Sequence, residues 1–116
     1  MDNLNGIYSA YLSGKSGQGF VMLVFRNDQL TGVDIGGVKY DGSYKQDDNK
    51  QIVVTLTVAY PPNALLVQGV RTGPEADSHQ LQFTIPANFL ELPFVRVEAK
   101  HGPVNVKFVK LRDLND

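Results

Sequence analysis

The chain has no cysteine and no tryptophan. Without cysteine it can form neither a disulfide nor a thiolate-ligated metal site. That fits a reducing compartment, although many secreted domains also lack cysteine. Long hydrophobic runs are missing too. The longest strictly apolar stretch is Phe20–Phe25, far short of the roughly 20 residues that a membrane-spanning helix needs. Met1-Asp2-Asn3-Leu4 shows no basic segment followed by an apolar one, so no secretory leader is expected and the cytoplasm is the default compartment, with no membrane partner. Charge of one sign is also absent: 11 basic and 12 acidic side chains give a net charge of -1. A nucleic-acid partner would call for a basic excess. The one positive concentration, Arg96, Lys100, Lys107, Lys110 and Arg112, is interleaved with Glu98 and Asp113 and reads as a solvated strand face.

What remains is a β pattern. At 116 residues the chain makes one domain, residues 1–116, long enough to bury roughly two-thirds of its unfolded surface. Strands are expected at about Gly6–Ser13, Phe20–Arg26, Leu30–Asp34, Val38–Lys45, Gln51–Tyr60, Gln80–Ile85, Phe94–Lys100 and Val104–Leu111. Alternation is clear in several of them. Val38, Tyr40, Gly42 and Tyr44 alternate with Lys39, Asp41, Ser43 and Lys45, and Ile52, Val54, Leu56, Val58 and Tyr60 with Val53, Thr55, Thr57 and Ala59. Asn27-Asp28 reads as a tight hairpin turn. Gly32 signals a bulge or a close backbone approach, and Asp41-Gly42 a bulge or sharp bend. Pro61-Pro62 stops the fifth strand. Asn63–Ser78 is the least legible segment: Ala64–Val70 reads as one helical turn after an Asn63 cap or as a short strand, the strand favoured and a ninth if Leu65–Arg71 is extended, and Gly73–Ser78 as a loop. Pro86–Leu92 suits a single helical turn. Many short strands joined by hairpins predict an all-β fold, a small antiparallel up-and-down barrel of about eight strands. Phe20–Phe25 is the anomaly, because it is apolar on both faces and its outer face needs a cover from this chain or another.

Catalytic patterns fail inspection, so no enzyme is expected. His79 follows a loop and His101 sits in a Gly-Pro turn, both places where a histidine is ordinarily solvated. Even if they met, a third nitrogen or sulfur ligand is not signalled, so no metal and no cofactor is expected. Gly14-Lys15-Ser16 echoes a phosphate loop, but position 9 is Ser9 rather than glycine and a strand follows instead of a helix. Asp47-Asp48 lacks the further oxygen ligands of a calcium loop. The tyrosines Tyr8, Tyr11, Tyr40, Tyr44 and Tyr60 concentrate in strands. The inward positions Tyr40, Tyr44, Val54, Leu56 and Val58 would then either fill a solid core or line a partly polar cavity. Leu81, Phe83, Val106 and Phe108 complete that set.

Four segments carry a resemblance. Leu4–Ser9 (LNGIYS), the Gly17–Gly19 turn, Leu30–Ile35 (LTGVDI) and Tyr40–Tyr44 (YDGSY) resemble the first half of the GrlR-type proteins, which include a negative regulator of a type III secretion virulence locus. The similarity spans roughly Leu4–Tyr60, with a weaker echo at Leu81–Leu90 (LQFTIPANFL). It implies a lipocalin-like barrel, a homodimer, and function by binding a transcriptional activator without catalysis. That family carries an acidic Glu-Asp-Glu-Asp tip after its fourth strand. The matching loop is Gln46-Asp47-Asp48-Asn49-Lys50, where Asp47 and Asp48 match in charge and Asn49 and Lys50 depart. The resemblance therefore implies partner contacts at Asp47, Asp48 and Asn49. The alternative is a barrel that carries or senses a small apolar or amphipathic ligand.

Overall fold

The computed structural model describes residues 4–15, 17–66 and 69–114. It contains eight antiparallel strands: β1 (Gly6–Gly14), β2 (Gly17–Arg26), β3 (Gln29–Asp34), β4 (Lys39–Gln46), β5 (Ile52–Tyr60), β6 (Asp77–Ile85), β7 (Val95–Ala99) and β8 (Gly102–Asp113). They form one sheet in the order β6-β5-β4-β3-β2-β1-β8-β7. Every neighbouring pair is antiparallel, and the sheet curls into a nearly closed barrel. β6 and β7 are its two edges, so the barrel has a seam where they face each other without a ladder among the described residues.

The turns follow from local chemistry. Asn27 and Asp28 both take left-handed φ (51° and 68°), the geometry of the two-residue turn whose twist suits a hairpin. The Asn5 side chain braces this turn, accepting from the Asn27 backbone N–H at 2.9 Å. Pro61 ends β5 as expected. Pro86 precedes a single 3-10 turn, Phe89–Glu91, on the connection from β6 to β7.

Several expectations need correction. Asp41-Gly42 is neither bulge nor turn, because both ladders of β4 run through it in unbroken register. A Cβ on Gly42 would run into the Thr55 carbonyl and come within 2.9 Å of the Leu56 Cα on β5. Gly32 likewise permits close approach, here to the Met22 carbonyl. The one described register shift lies elsewhere, between Ile7 and Tyr8 against β8. Among the described residues of Leu65–Arg71 there is no ninth strand, only an isolated bridge between its end residues; Val67 and Gln68 of that segment lie outside the described residues. Asp77 and Ser78 belong to β6, not to a loop.

Burial settles which faces point inward. Val21, Leu23 and Phe25 face the interior on β2, and Tyr8 and Ala10 on β1. The alternation read for β4, β5, β6, β7 and β8 also holds, with Tyr44, Val54, Leu56, Val58, Ile85, Val95, Val97, Val104, Val106 and Phe108 all buried. On the outside, β5 and β6 are wetted. Thr57 faces Gln80 and Thr55 faces Gln82 across the ladder, and the glutamine amides donate to the threonine hydroxyls at 3.0 and 3.2 Å.

Gly42→Ala tests the close approach of β4 to β5. Strand propensity alone would make alanine slightly stabilising. The clash reverses the sign, and a loss of about 1–3 kcal/mol in denaturant unfolding is expected. A gain in stability would show that the two backbones can part without loss.

Candidate functional site

Antiparallel connectivity sorts the loops between two ends. One end carries the β2–β3, β4–β5 and β6–β7 connections, the start of β1 and the end of β8. The other carries the β1–β2, β3–β4, β5–β6 and β7–β8 connections.

The first end is closed by aromatic rings. Tyr8 lies 4.7 Å from Phe25 and 6.4 Å from Phe89 between centroids. Phe25 meets Tyr44 at 5.1 Å, and Phe89 meets Phe108 edge-on at 5.2 Å. The 3-10 turn swings Phe89 beneath the barrel. Lys107 Nζ fixes that connection by donating to the Leu92 and Leu90 carbonyls at 2.7 and 3.3 Å. Tyr8 satisfies its hydroxyl by donating to the Leu4 carbonyl at 2.7 Å.

Above this plug most interior side chains are Ala10, valines and leucines, with Tyr40, Tyr60 and Phe83 among them. They leave a cavity of about 300 Å³ that opens at the second end. Tyr40, Val54, Leu56, Val58, Leu81, Phe83, Val106 and Phe108 all line it, as the alternation predicts. Tyr44 does not. It sits one inward step closer to the closed end than Gly42, inside the plug, with its hydroxyl 3.5 Å from Asn5 Oδ1.

The mouth is built by loops that the sequence left illegible. After Pro61 the chain makes an excursion pinned by Asn63 N to the Gly73 carbonyl (2.8 Å) and Thr72 N to the Ala64 carbonyl (2.7 Å). Thr72 Oγ1 donates to the Pro61 carbonyl and accepts from Ala64 N, both at 2.7 Å. This brings Leu66 into the interior and leaves Leu65 on the rim, 62% exposed. On the neighbouring β3–β4 turn, Ile35 is 94% exposed. Both residues border the cavity, so the opening has apolar lips.

Polar groups in the cavity are few. Asp34 is the one carboxylate among the described residues that line it, joined by Gln18, Tyr40 and Tyr60. Asp34 Oδ1 accepts from Gly36 N (2.9 Å) and Val38 N (3.0 Å), while Oδ2 lies 3.4 Å from the Tyr40 hydroxyl. Burial pushes the Tyr40 phenol far above the ordinary tyrosine value, and the neighbouring Asp34 charge adds to it. Burial likewise raises Tyr60, with Asp77 contributing. Both therefore present a protonated hydroxyl at neutral pH.

The two histidines are partly buried and packed together, where full exposure is expected from the sequence. His79 has only 16% of its side chain exposed. Its ring lies 5.6 Å from His101, and Tyr60 contacts both rings at 5.3 and 5.5 Å. His79 Nδ1 is 3.1 Å from Lys100 Nζ, and its Nε2 is 3.4 Å from Asp77 Oδ2. Both of its nitrogens are thus engaged. The cluster crosses the β6/β7 seam beside the mouth. The remaining basic residues of that region disperse: Arg96 pairs with Glu98 at 2.8 Å and Lys110 pairs with Asp113.

The acidic tip Asp47-Asp48-Asn49 lies at the closed end, remote from the mouth. Asp47 Oδ1 accepts from Asn49 N and Gln51 N, both at 2.9 Å. That oxygen braces its own turn, and only Asp48 and Asn49 of the three are exposed. No protein-family model, curated protein or solved structure matches the chain.

The histidine cluster gives the seam a pH dependence. Burial, then the positive charges of His79 and Lys100, hold His101 below the ordinary histidine value of 6.5, against a smaller opposing pull from Asp77. The unfolded chain then binds more protons than the folded one just below that value. Its contribution is complete above about pH 6.5 and declines as pH falls towards the lowered folded value. Thermal midpoints of the wild type should drop in that window, ahead of the carboxylates, and those of His101→Gln should drop less. Parallel pH profiles would remove His101 from the seam's stability.

Proposed function

We propose that the protein is a non-enzymatic binding module whose barrel takes up one small apolar or amphipathic molecule. The cavity carries this reading. A packed interior leaves few voids larger than a water molecule, whereas ligand sites run to about 300–1,000 Å³ with mostly apolar linings and a few placed polar groups. The space here is about 300 Å³, has mostly apolar walls, and opens at the end that carries Ile35 and Leu65. Uptake of the neutral fluorophore N-phenylnaphthylamine should saturate at one molecule per chain. Ala10→Phe, which projects a ring into the cavity, should weaken uptake at least ~10-fold; Leu12→Trp, on the same wall nearer the mouth, should do the same if Ala10→Phe unfolds. A folded wild type that takes up no probe, or uptake untouched in a folded filling variant, would overturn the reading.

A second observation favours protein association as well. Val109, Ser9, Met22 and Val33 lie side by side across β8, β1, β2 and β3 on the outer face. Ser9 is 1% exposed beneath its neighbours, and Tyr11, Met22, Val33, Val109 and Leu111 are exposed apolar side chains on the same face. An outer sheet face in water is ordinarily polar, as β5 and β6 are here, and a contiguous apolar patch marks an association site. This supports a homodimeric regulator resembling the GrlR-type proteins, which would act by sequestering a transcriptional activator. The acidic tip lends that partner less support, because Asp47 is occupied within its own loop. Sedimentation at micromolar concentration should show a dimer that Met22→Lys converts to a folded monomer. A wild-type monomer would end the dimer reading and leave the cavity reading intact.

A further inference from the structure

We infer that Asp34 selects the head group of the bound molecule, and that the cavity takes amphiphiles bearing an ammonium head in preference to those bearing a carboxylate. The inference rests on the cavity reading and narrows it to a ligand class.

Asp34 ends β3 with its side chain directed inward, in step with Leu30 on the same strand and opposite Val21 on β2. The chain turns at once through Ile35 and Gly36, and that turn is folded onto Oδ1. Gly36 N and Val38 N both donate to it, and the Asp34 backbone adds two more bonds, its N–H to the Val38 carbonyl at 3.0 Å and its carbonyl from Gly37 N at 3.1 Å. The carboxylate is therefore held in one orientation before any ligand arrives, and no ordering of the group is required on binding. Oδ1 is occupied. Among the described residues Oδ2 has a single long contact, the Tyr40 hydroxyl at 3.4 Å, so it retains acceptor capacity towards the cavity.

The other charges near the mouth do not counter it. Lys39 points to the outside of β4, Lys15 is exposed on the β1–β2 turn, and Lys100 is engaged with His79 on the seam behind Tyr60. Arg71 Nη1 donates to the Asn63 carbonyl within the β5–β6 excursion. None of these cations borders the cavity, whereas Asp34 does. A molecule whose apolar body fills the space between Val54, Leu56, Val58 and Val106 would place its head beside Asp34 and Tyr40. An ammonium there meets a fixed acceptor. A carboxylate meets a like charge, which is repulsive and, at a mouth open to solvent, still screened in part by salt.

Displacement of N-phenylnaphthylamine by n-decylamine, n-decanol and n-decanoate, at submicellar concentrations and neutral pH, tests this. Decylamine should compete best and decanoate worst, by about 10-fold or more, the scale of a hydrogen bond to a charged group. Asp34→Asn keeps an Oδ1 for Gly36 and Val38 while removing the charge, so the turn should persist and the amine preference should collapse towards that of decanol. As a measurement that needs no variant, added salt should narrow the wild-type gap between amine and alcohol. Equal competition by decanoate, or an amine preference unchanged in folded Asp34→Asn or insensitive to salt, would overturn the role of Asp34 and leave the cavity reading standing. Failure of the probe itself to bind would remove both.

Discussion

The structure depends on the placement of its large rings. Tyr8, Phe25, Tyr44, Phe89 and Phe108 pack together at one end of the barrel, each ring burying a large apolar area and gaining further from tilted contacts with its neighbours. Concentrating this volume at one end gives the sheet a solid base to wrap around. The inward residues above it are mostly short, Ala10, Val54, Leu56, Val58, Val97, Val104 and Val106 among them, and with Tyr40, Tyr60 and Phe83 on the walls they still leave space inside a barrel of eight strands. A closed floor and an open cup are two consequences of one distribution of side-chain size.

The exterior is divided as sharply as the interior. On β5 and β6 the cross-strand Thr–Gln pairs satisfy one another and face water. On β8, β1, β2 and β3 the corresponding row is Val109, Ser9, Met22 and Val33. Ser9 Oγ is buried beneath that row with no hydrogen-bond partner among the described residues, a desolvation penalty of about 1–3 kcal/mol. The apolar character of this face is a property of four adjacent strands, not of β2 alone. The anomaly of Phe20–Phe25 is thus one part of a wider surface.

The barrel was legible in the sequence because period-two alternation is a direct imprint of a sheet with an inside. Tyr40 and Val54 to Val58 were placed in the interior on that basis, and the two-residue turn at Asn27-Asp28 on its tolerance of left-handed φ. Asp34 was also within reach: two steps from Gly32 and four from Leu30, it had to share their inward face, but a carboxylate before a glycine pair reads first as a turn residue. The segment 61–73 was illegible because its shape comes from Thr72, Asn63 and Arg71 bonding to carbonyls and amides many residues away, which leaves no periodic trace. The pairing of His79 with His101 was hidden for a similar reason. It joins β6 to the turn after β7, across the one place where neighbouring strands share no ladder. For Tyr44 the sequence leaves core and cavity wall open, because alternation reports which face a residue takes, not how far along the barrel it lies.

The central claim is that small amphiphiles enter the cup above the aromatic plug. Methyl-labelled NMR during titration with n-decylamine tests it most directly. The account predicts shifts at the methyls of Leu56, Val58, Leu66 and Val106, with those of Met22, Val33 and Val109 on the outer face unmoved. Shifts confined to the outer-face methyls, with the interior ones silent, would contradict it.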